Sequence, residues 1–138
     1  MLPEVLSNGV CSLVPHEDRY TVTCRMVFYK SGNKKEAEFY RSVINSNHRL
    51  TYNYVNDIFD NMAESEDKEL LPFLNTAKEL TNILLVKREK DGVIDFDLPE
   101  AEFFFDSKGE IIDIKPRERG YAERLIECFM IAANESAA

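Results

Sequence analysis

Hydrophobic and polar positions alternate along two runs between residues 20 and 44, and a short turn separates the runs. The apolar positions of the first run are Tyr20, Val22, Cys24, Met26 and Phe28. A period of two is typical of a half-buried strand. Because Ser31-Gly32-Asn33 supplies a turn before the second run at residues 37–44, the pattern predicts an antiparallel hairpin.

Apolar positions recur at helical spacing in the middle of the chain. Thr51 is a candidate N-cap for a short helix, whose apolar face comprises Val55, Ile58, Phe59 and Met62. A longer helix follows an acidic connection, with Pro72 in its first turn and Gly92 just beyond its basic last turn. The apolar stripe of this longer helix comprises Leu70, Phe73, Leu74, Ala77, Leu80, Leu84 and Leu85.

The last third of the chain predicts a further hairpin and a further helix. Residues 101–106 and 110–115 bracket Ser107-Lys108-Gly109 and predict a second hairpin. The apolar positions of a final helix are Ala122, Leu125, Ile126, Phe129, Met130 and Ala133. We therefore predict an α+β fold of two antiparallel β-hairpins and packed helices, in the order ββααββα and without an internal domain boundary. Because the last helix reaches Ala138 without a cap, we expect a fragment of a larger domain.

Charge and composition narrow the classes of function. The formal net charge of −8 has the wrong sign for a self-sufficient nucleic-acid binder, so such binding would be local or would depend on neighbouring domains. Neither a membrane span nor a secretory signal is visible, so we expect a cytoplasmic protein with no membrane partner. Cys11, Cys24 and Cys128 are widely spaced, which argues against a disulfide framework or a zinc site and favours reduced, mostly packed thiols.

Catalytic groups are hard to find from residue types alone. His16 and His48 have neither a nucleophile nor an acidic partner at any motif spacing, so neither supports a triad. Asp57, Asp60 and Glu64 share a helix face, but magnesium sites rarely use such a solvated row. We therefore predict no catalytic residue and no metal site in this chain.

Three other positions have an ordinary structural interpretation. Phe96 lies between two aspartates and is typical of a residue at the edge of a core. Tyr52 is typical of an aromatic residue that packs at the start of a helix, and Glu127 of a solvated helix edge. Asn134 lies seven positions after Glu127, on nearly the same helix face.

Ordered segments along almost the whole chain carry a more specific signal. They are residues 1–15, 18–19, 44–46, 49–52, 95–100, 117–120, 125–127 and 129–134. In residue identity and order, these segments resemble the RNB catalytic domain of the bacterial exoribonuclease family that contains ribonuclease II and ribonuclease R. They resemble ribonuclease R more than ribonuclease II. The resemblance implies a processive 3′-to-5′ exoribonuclease that hydrolyses RNA to nucleoside monophosphates with Mg²⁺.

The family's metal-binding aspartate cluster has no match in this sequence. In the family that cluster precedes the Leu2-Pro3 segment, and an arginine-rich motif follows the region matched by the last helix. The resemblance therefore implies a central fragment of the catalytic domain, with the Mg²⁺ ligands outside this chain. The fragment would form one wall of the channel for single-stranded RNA, and DNA is not an expected partner.

The resemblance also assigns roles to individual residues. It implies that Phe96 stacks on a base at the closed end of the channel. It implies that Tyr52 faces the nucleic acid near the scissile end, where a phenol can stack and donate a hydrogen bond. It implies that Glu127 points into the channel and accepts a hydrogen bond from a 2′-hydroxyl. We assign Arg19 to an internal salt bridge and Asn134 to backbone or helix-packing contacts.

Two alternatives stay open from the sequence. A noncatalytic RNA-binding relative would keep the scaffold without the aspartates. An α+β protein-interaction module is mildly favoured by the acidic charge, and it would gain support if Tyr52, Phe96 and Glu127 lay on unrelated faces.

Overall fold

The computed structural model describes residues 2–65, 67–93, 100–117 and 119–138. Its elements are a short π-helical segment at Leu6–Val10, β1 (Asp18–Phe28), β2 (Lys34–Asn45), α1 (Tyr52–Phe59), α2 (Leu70–Lys90), β3 (Glu100–Phe105), β4 (Ile111–Arg117) and α3 (Tyr121–Ala137). The predicted α+β fold and the order ββααββα of strands and helices are confirmed. Among the described residues, no helix is long and apolar enough to cross a membrane.

Both predicted hairpins are present. Strands β1 and β2 pair antiparallel from Asp18↔Asn45 to Phe28↔Lys34, and β3 and β4 pair antiparallel from Glu100↔Arg117 onward. Gly109 closes the second turn at φ +83°, a left-handed conformation that favours glycine. The two hairpins form separate two-stranded sheets rather than one shared sheet.

The core lies where the three helices meet. Thr51 is the predicted N-cap of α1, and its hydroxyl oxygen accepts a hydrogen bond from the Tyr54 backbone N–H at 3.3 Å. The buried residues of this core are Val55, Ile58, Leu70, Leu74 and Ala122. The other buried residues of α2 and α3 are Thr81, Leu84, Leu125, Cys128 and Ala132. The helices therefore cover much of one another's apolar surface.

Several predicted apolar faces are wider than the faces that are buried. Met62 lies beyond the end of α1, and it is exposed, as are Phe73 and Met130. On β1, Tyr20 and Val22 are 91% and 76% exposed, although the alternation predicted a half-buried face. Regular spacing identifies apolar residues, but burial also requires a neighbouring element, and none in the described chain covers these positions.

The remaining structural predictions had mixed outcomes. Arg19 forms the predicted internal salt bridge, because its Nη2 lies 2.6 Å from Glu17 Oε2. All three cysteines are free thiols, and burial raises the pKa of Cys128. Cys128 is buried and Cys24 is partly buried, in agreement with mostly packed thiols, whereas Cys11 is exposed.

Candidate nucleic-acid interface

Tyr52 is placed by the capping of α1. Thr51 has an extended backbone (φ −103°, ψ 154°), so the chain turns into the helix at Tyr52. The Tyr52 side chain is 42% exposed, and it lines a groove of about 540 Å³ between the three helices. Because the ring is neither buried nor fully solvated, a flat ligand group can reach it.

The groove around Tyr52 has mostly apolar walls. Leu50 and Tyr52 line it from α1 and the segment before it, Phe73 lines it from α2, and Ile126 and Phe129 line it from α3. Such walls offer aromatic and aliphatic surface for stacking, which is tolerant of base identity. Phe73 was predicted to lie on the apolar stripe of α2, and at 66% exposure it lines this groove.

Glu127 lies on α3 beside this groove. It follows Ile126 directly, so the helix turns it by about 100° away from the position of Ile126, and it is not one of the groove-lining residues. Its side chain is 48% exposed, and its Oε2 lies 3.9 Å from Arg119 Nη1. This pair is long and solvated, so the carboxylate keeps acceptor capacity for a further hydrogen bond.

The start of α3 is fixed by a residue of α1. Asn56 Oδ1 accepts a hydrogen bond from the Ala122 backbone N–H at 2.8 Å, and Asn56 Nδ2 donates to Glu123 Oε2 at 3.0 Å. Gly120 is the N-cap residue and has an extended backbone. The helices that carry Tyr52 and Glu127 are therefore tied together through one amide side chain.

A cluster around Tyr121 fixes the other side of the helix junction. The Phe59 and Tyr121 rings meet edge to face, with centroids 5.4 Å apart, and Lys78 Nζ lies 4.6 Å from the Phe59 centroid. The Tyr121 hydroxyl donates to Asn82 Oδ1 at 2.6 Å. Burial raises the pKa of Tyr121. The sequence pattern gave no indication of this cluster, because its members come from three separate helices.

The predicted site residues are only partly brought together. Tyr52 and Glu127 lie on helices that meet, but Glu127 lies outside the groove that Tyr52 lines. Phe96 lies outside the described residues. Asn134 is exposed near the end of α3.

The part of the chain that the structure describes does not fit a divalent-ion site. It contains no group of three or more histidine, cysteine, aspartate or glutamate side chains that could hold a metal. Asp57, Asp60 and Glu64 form no such group.

One histidine has an acidic partner that no motif spacing indicates. His48 Nε2 lies 2.6 Å from Asp67 Oδ2. The Asp67 carboxylate also accepts the Glu69 backbone N–H at 2.8 Å, and this bond together with His48 lowers the pKa of Asp67. The two residues are 19 positions apart and match no motif, so spacing could not have found the pair.

Comparisons with known proteins cover the whole chain. A family model described as RNB domain matches residues 1–138. The chain is 42% identical over 138 residues to Ribonuclease R of Mycoplasmopsis pulmonis and 48% identical over 140 residues to Ribonuclease R of Aquifex aeolicus. All of this chain aligns in each case, but it covers only 19% and 20% of those two relatives.

Solved structures give the same result for the fold. The apo form of Mycoplasma genitalium RNase R matches with a TM-score of 0.95 and 36% identity, over 99% of this chain and 21% of that chain. The same RNase R has been solved with ribose methylated single-stranded RNA, with a TM-score of 0.95, and with double-stranded RNA, with a TM-score of 0.94.

Proposed function

The chain belongs to the RNB domain family, and on that premise we propose that it is part of a processive 3′-to-5′ exoribonuclease that hydrolyses RNA to nucleoside monophosphates. The observation that carries the proposal is the match to Ribonuclease R over the entire chain, in sequence and in fold. Since the chain covers about a fifth of these relatives, the activity belongs to the complete protein that carries it. Single-stranded RNA is the proposed substrate.

In this proposal the chain supplies one wall of the RNA channel. Tyr52 stacks on a nucleotide near the scissile end or donates a hydrogen bond to its ribose or phosphate. Its half-exposed ring at the mouth of an apolar groove supports this role. Glu127 accepts a hydrogen bond from a 2′-hydroxyl, and its exposed carboxylate supports this role. Phe96 stacks on a base at the closed end of the channel.

The proposed Mg²⁺ ions are held by residues outside this chain. The described residues contain no suitable ligand group, and the sequence contains no cluster of the family's aspartate spacing. A net charge of −8 also opposes binding of the negatively charged RNA backbone by this chain alone. The 138-residue chain alone is therefore expected to be inactive on RNA.

Labelled single-stranded RNA tests the function of the complete protein. We expect shortening from the 3′ end with Mg²⁺, loss of activity with a chelator, and no shortening by the 138-residue chain alone. RNA binding by the complete protein without cleavage would favour the noncatalytic relative, and failure to bind RNA would favour the protein-interaction module. Metal-dependent cleavage by the 138-residue chain would contradict the assignment of the ligands to another part of the protein.

The roles of Tyr52 and Glu127 are tested by the preference for ribose over deoxyribose. A Tyr52→Ala, Glu127→Ala double variant of the complete protein should lose about 1–2 kcal/mol of preference for RNA over a substrate with deoxyribose near the 3′ end. Glu135→Ala, which removes an exposed carboxylate further along α3, is the matched control. If the cleavage rates of both substrates fall by the same factor in the double variant, these residues do not distinguish ribose from deoxyribose.

A further inference from the structure

The N-terminus of α3 is capped from another helix. Helices usually begin with a Ser, Thr, Asp or Asn whose side chain accepts a backbone N–H of the first turn. Gly120 occupies that position here and makes no side-chain cap. Asn56 of α1 instead accepts the Ala122 N–H, although it lies 66 positions earlier in the sequence.

Both ends of the Asn56 amide are used by the first turn of α3. Oδ1 accepts from Ala122 and Nδ2 donates to Glu123. A flipped amide would place a donor against the Ala122 N–H and an acceptor against the Glu123 carboxylate, so only one orientation satisfies both contacts. The bonds therefore fix the position of α3 on α1 as well as satisfying a helix end.

Gly120 is required for this arrangement by close approach. A Cβ at position 120 would lie 2.1 Å from Asn56 Nδ2 and 2.5 Å from Asn56 Cγ. Such distances are too short for nonbonded atoms, so any larger residue at position 120 displaces the amide. Asn56 and Gly120 thus form one interlocked pair, which we call the remote cap.

The remote cap joins the two helices that carry the residues assigned to the ribose. Asn56 is one helical turn after Tyr52 on α1, and Gly120 directly follows Arg119, which pairs with Glu127. We propose that Asn56 is a positioning residue, which sets the placement of Glu127 relative to Tyr52 and thereby the preference for RNA. This inference rests on the proposed function. Asn56 itself is not assigned a contact with RNA.

The remote cap is tested first by a double-variant cycle on the 138-residue chain. Asn56→Ala should lower the Tm by about 3–6 °C through loss of a helix cap. Gly120→Ala should also lower the Tm, because its Cβ displaces the amide without supplying a cap. The two losses should not add, since Asn56→Ala vacates the space that the new Cβ needs. Additive losses would overturn the remote cap.

The positioning role needs a measurement that stability alone would not change. In the complete protein, the ratio of kcat/KM on ribose and deoxyribose 3′ ends is independent of the fraction of enzyme that is folded. We expect Asn56→Ala to lower this ratio about threefold, within the range of a weakened hydrogen bond. Asn53→Ala, an exposed asparagine on the same helix, should leave the ratio unchanged.

A local cap provides the rescue. In an Asn56→Ala, Gly120→Ser variant, the serine occupies the vacated space and can cap α3 itself, so both the Tm and the ratio should recover. If Asn56→Ala does not fold, Gly120→Ala tests the same role, because its Cβ displaces the Asn56 amide and should also lower the ratio of kcat/KM values. A ratio that stays at the wild-type value while the Tm falls would overturn the positioning role only. A wild-type protein that cleaves no RNA would remove the proposed function, and this inference with it.

Discussion

The helical region and the β3–β4 hairpin are both rich in apolar residues, but they differ in how many they bury. The helices bury many of their apolar side chains. The hairpin instead leaves exposed the side chains of Phe103, Phe104, Phe105, Ile111, Ile112 and Ile114. The sequence therefore identifies apolar residues that need a packing partner, but it does not say whether the same part of the chain supplies that partner.

The difference follows from the number of packing partners. Helix α3 packs against both α1 and α2, so each helix contributes one apolar face to a shared core. A two-stranded hairpin has two faces and only one paired strand, and it is marginally stable alone in water. The helical region should therefore carry most of the free energy of unfolding of the 138-residue chain.

The largest expected loss of stability tests whether the helical region carries most of the free energy of unfolding. Leu74→Ala should destabilise the chain by about 2–5 kcal/mol, because Leu74 is 4% exposed in the helical core and its removal leaves a cavity. Ile112→Ala, on a residue that is 66% exposed, should cost about 0.5 kcal/mol or less. Urea unfolding of both variants gives the comparison. Equal losses would mean that the hairpin is as important to stability as the helices.

A smaller loss of stability is expected at the N-terminus of α1, at the edge of the helical region. Thr51→Ala should cost about 1 kcal/mol, because the backbone N–H of Tyr54 loses its cap. Thr76→Ala is the matched control, since Thr76 is an exposed position inside α2 where alanine favours the helix. Thermal unfolding distinguishes the two. A Thr51→Ala variant as stable as Thr76→Ala would mean that α1 does not depend on its cap.

The smallest effect concerns the loops that flank α1. The pKa of Asp67 is lowered from 3.8, so its carboxylate stabilises the fold above the unfolded pKa and this contribution is lost as pH falls through the folded pKa. Asp67→Asn should therefore be less stable than wild type near neutral pH. The difference in Tm should shrink between about pH 5 and about pH 3. A difference that stays constant across this range would show that the charge of Asp67 is not responsible.

The prediction of the fold succeeded where the signals are local. Thr51, Gly109 and the alternating runs each depend on neighbours within a few positions, and both hairpins, the helices and the cap of α1 were found from them. The predicted faces were less accurate. Phe73 and Tyr20 have the right spacing for burial, but the element that would cover each one is not specified by its own neighbours.

The missed features depend on how separate parts of the chain pack together. Thr81 is fully buried, and its hydroxyl donates to the Ala77 carbonyl of the same helix at 2.8 Å, which satisfies a polar group that a sequence pattern assigns to the surface. The Asn56 cap and the pairing of His48 with Asp67 join positions that are distant in the sequence. The candidate site shares this limit, because Tyr52 and Glu127 came from a family resemblance, and their roles stay predictions.

The close approach of position 120 to Asn56 has an evolutionary consequence. A side chain at position 120 is disfavoured while asparagine occupies position 56, and a smaller residue at position 56 leaves α3 without a cap while glycine occupies position 120. Each single change passes through a less stable protein, whereas the pair of changes can exchange a distant cap for a local one. Lineages should therefore inherit the two positions as a unit, and among homologous sequences they should covary.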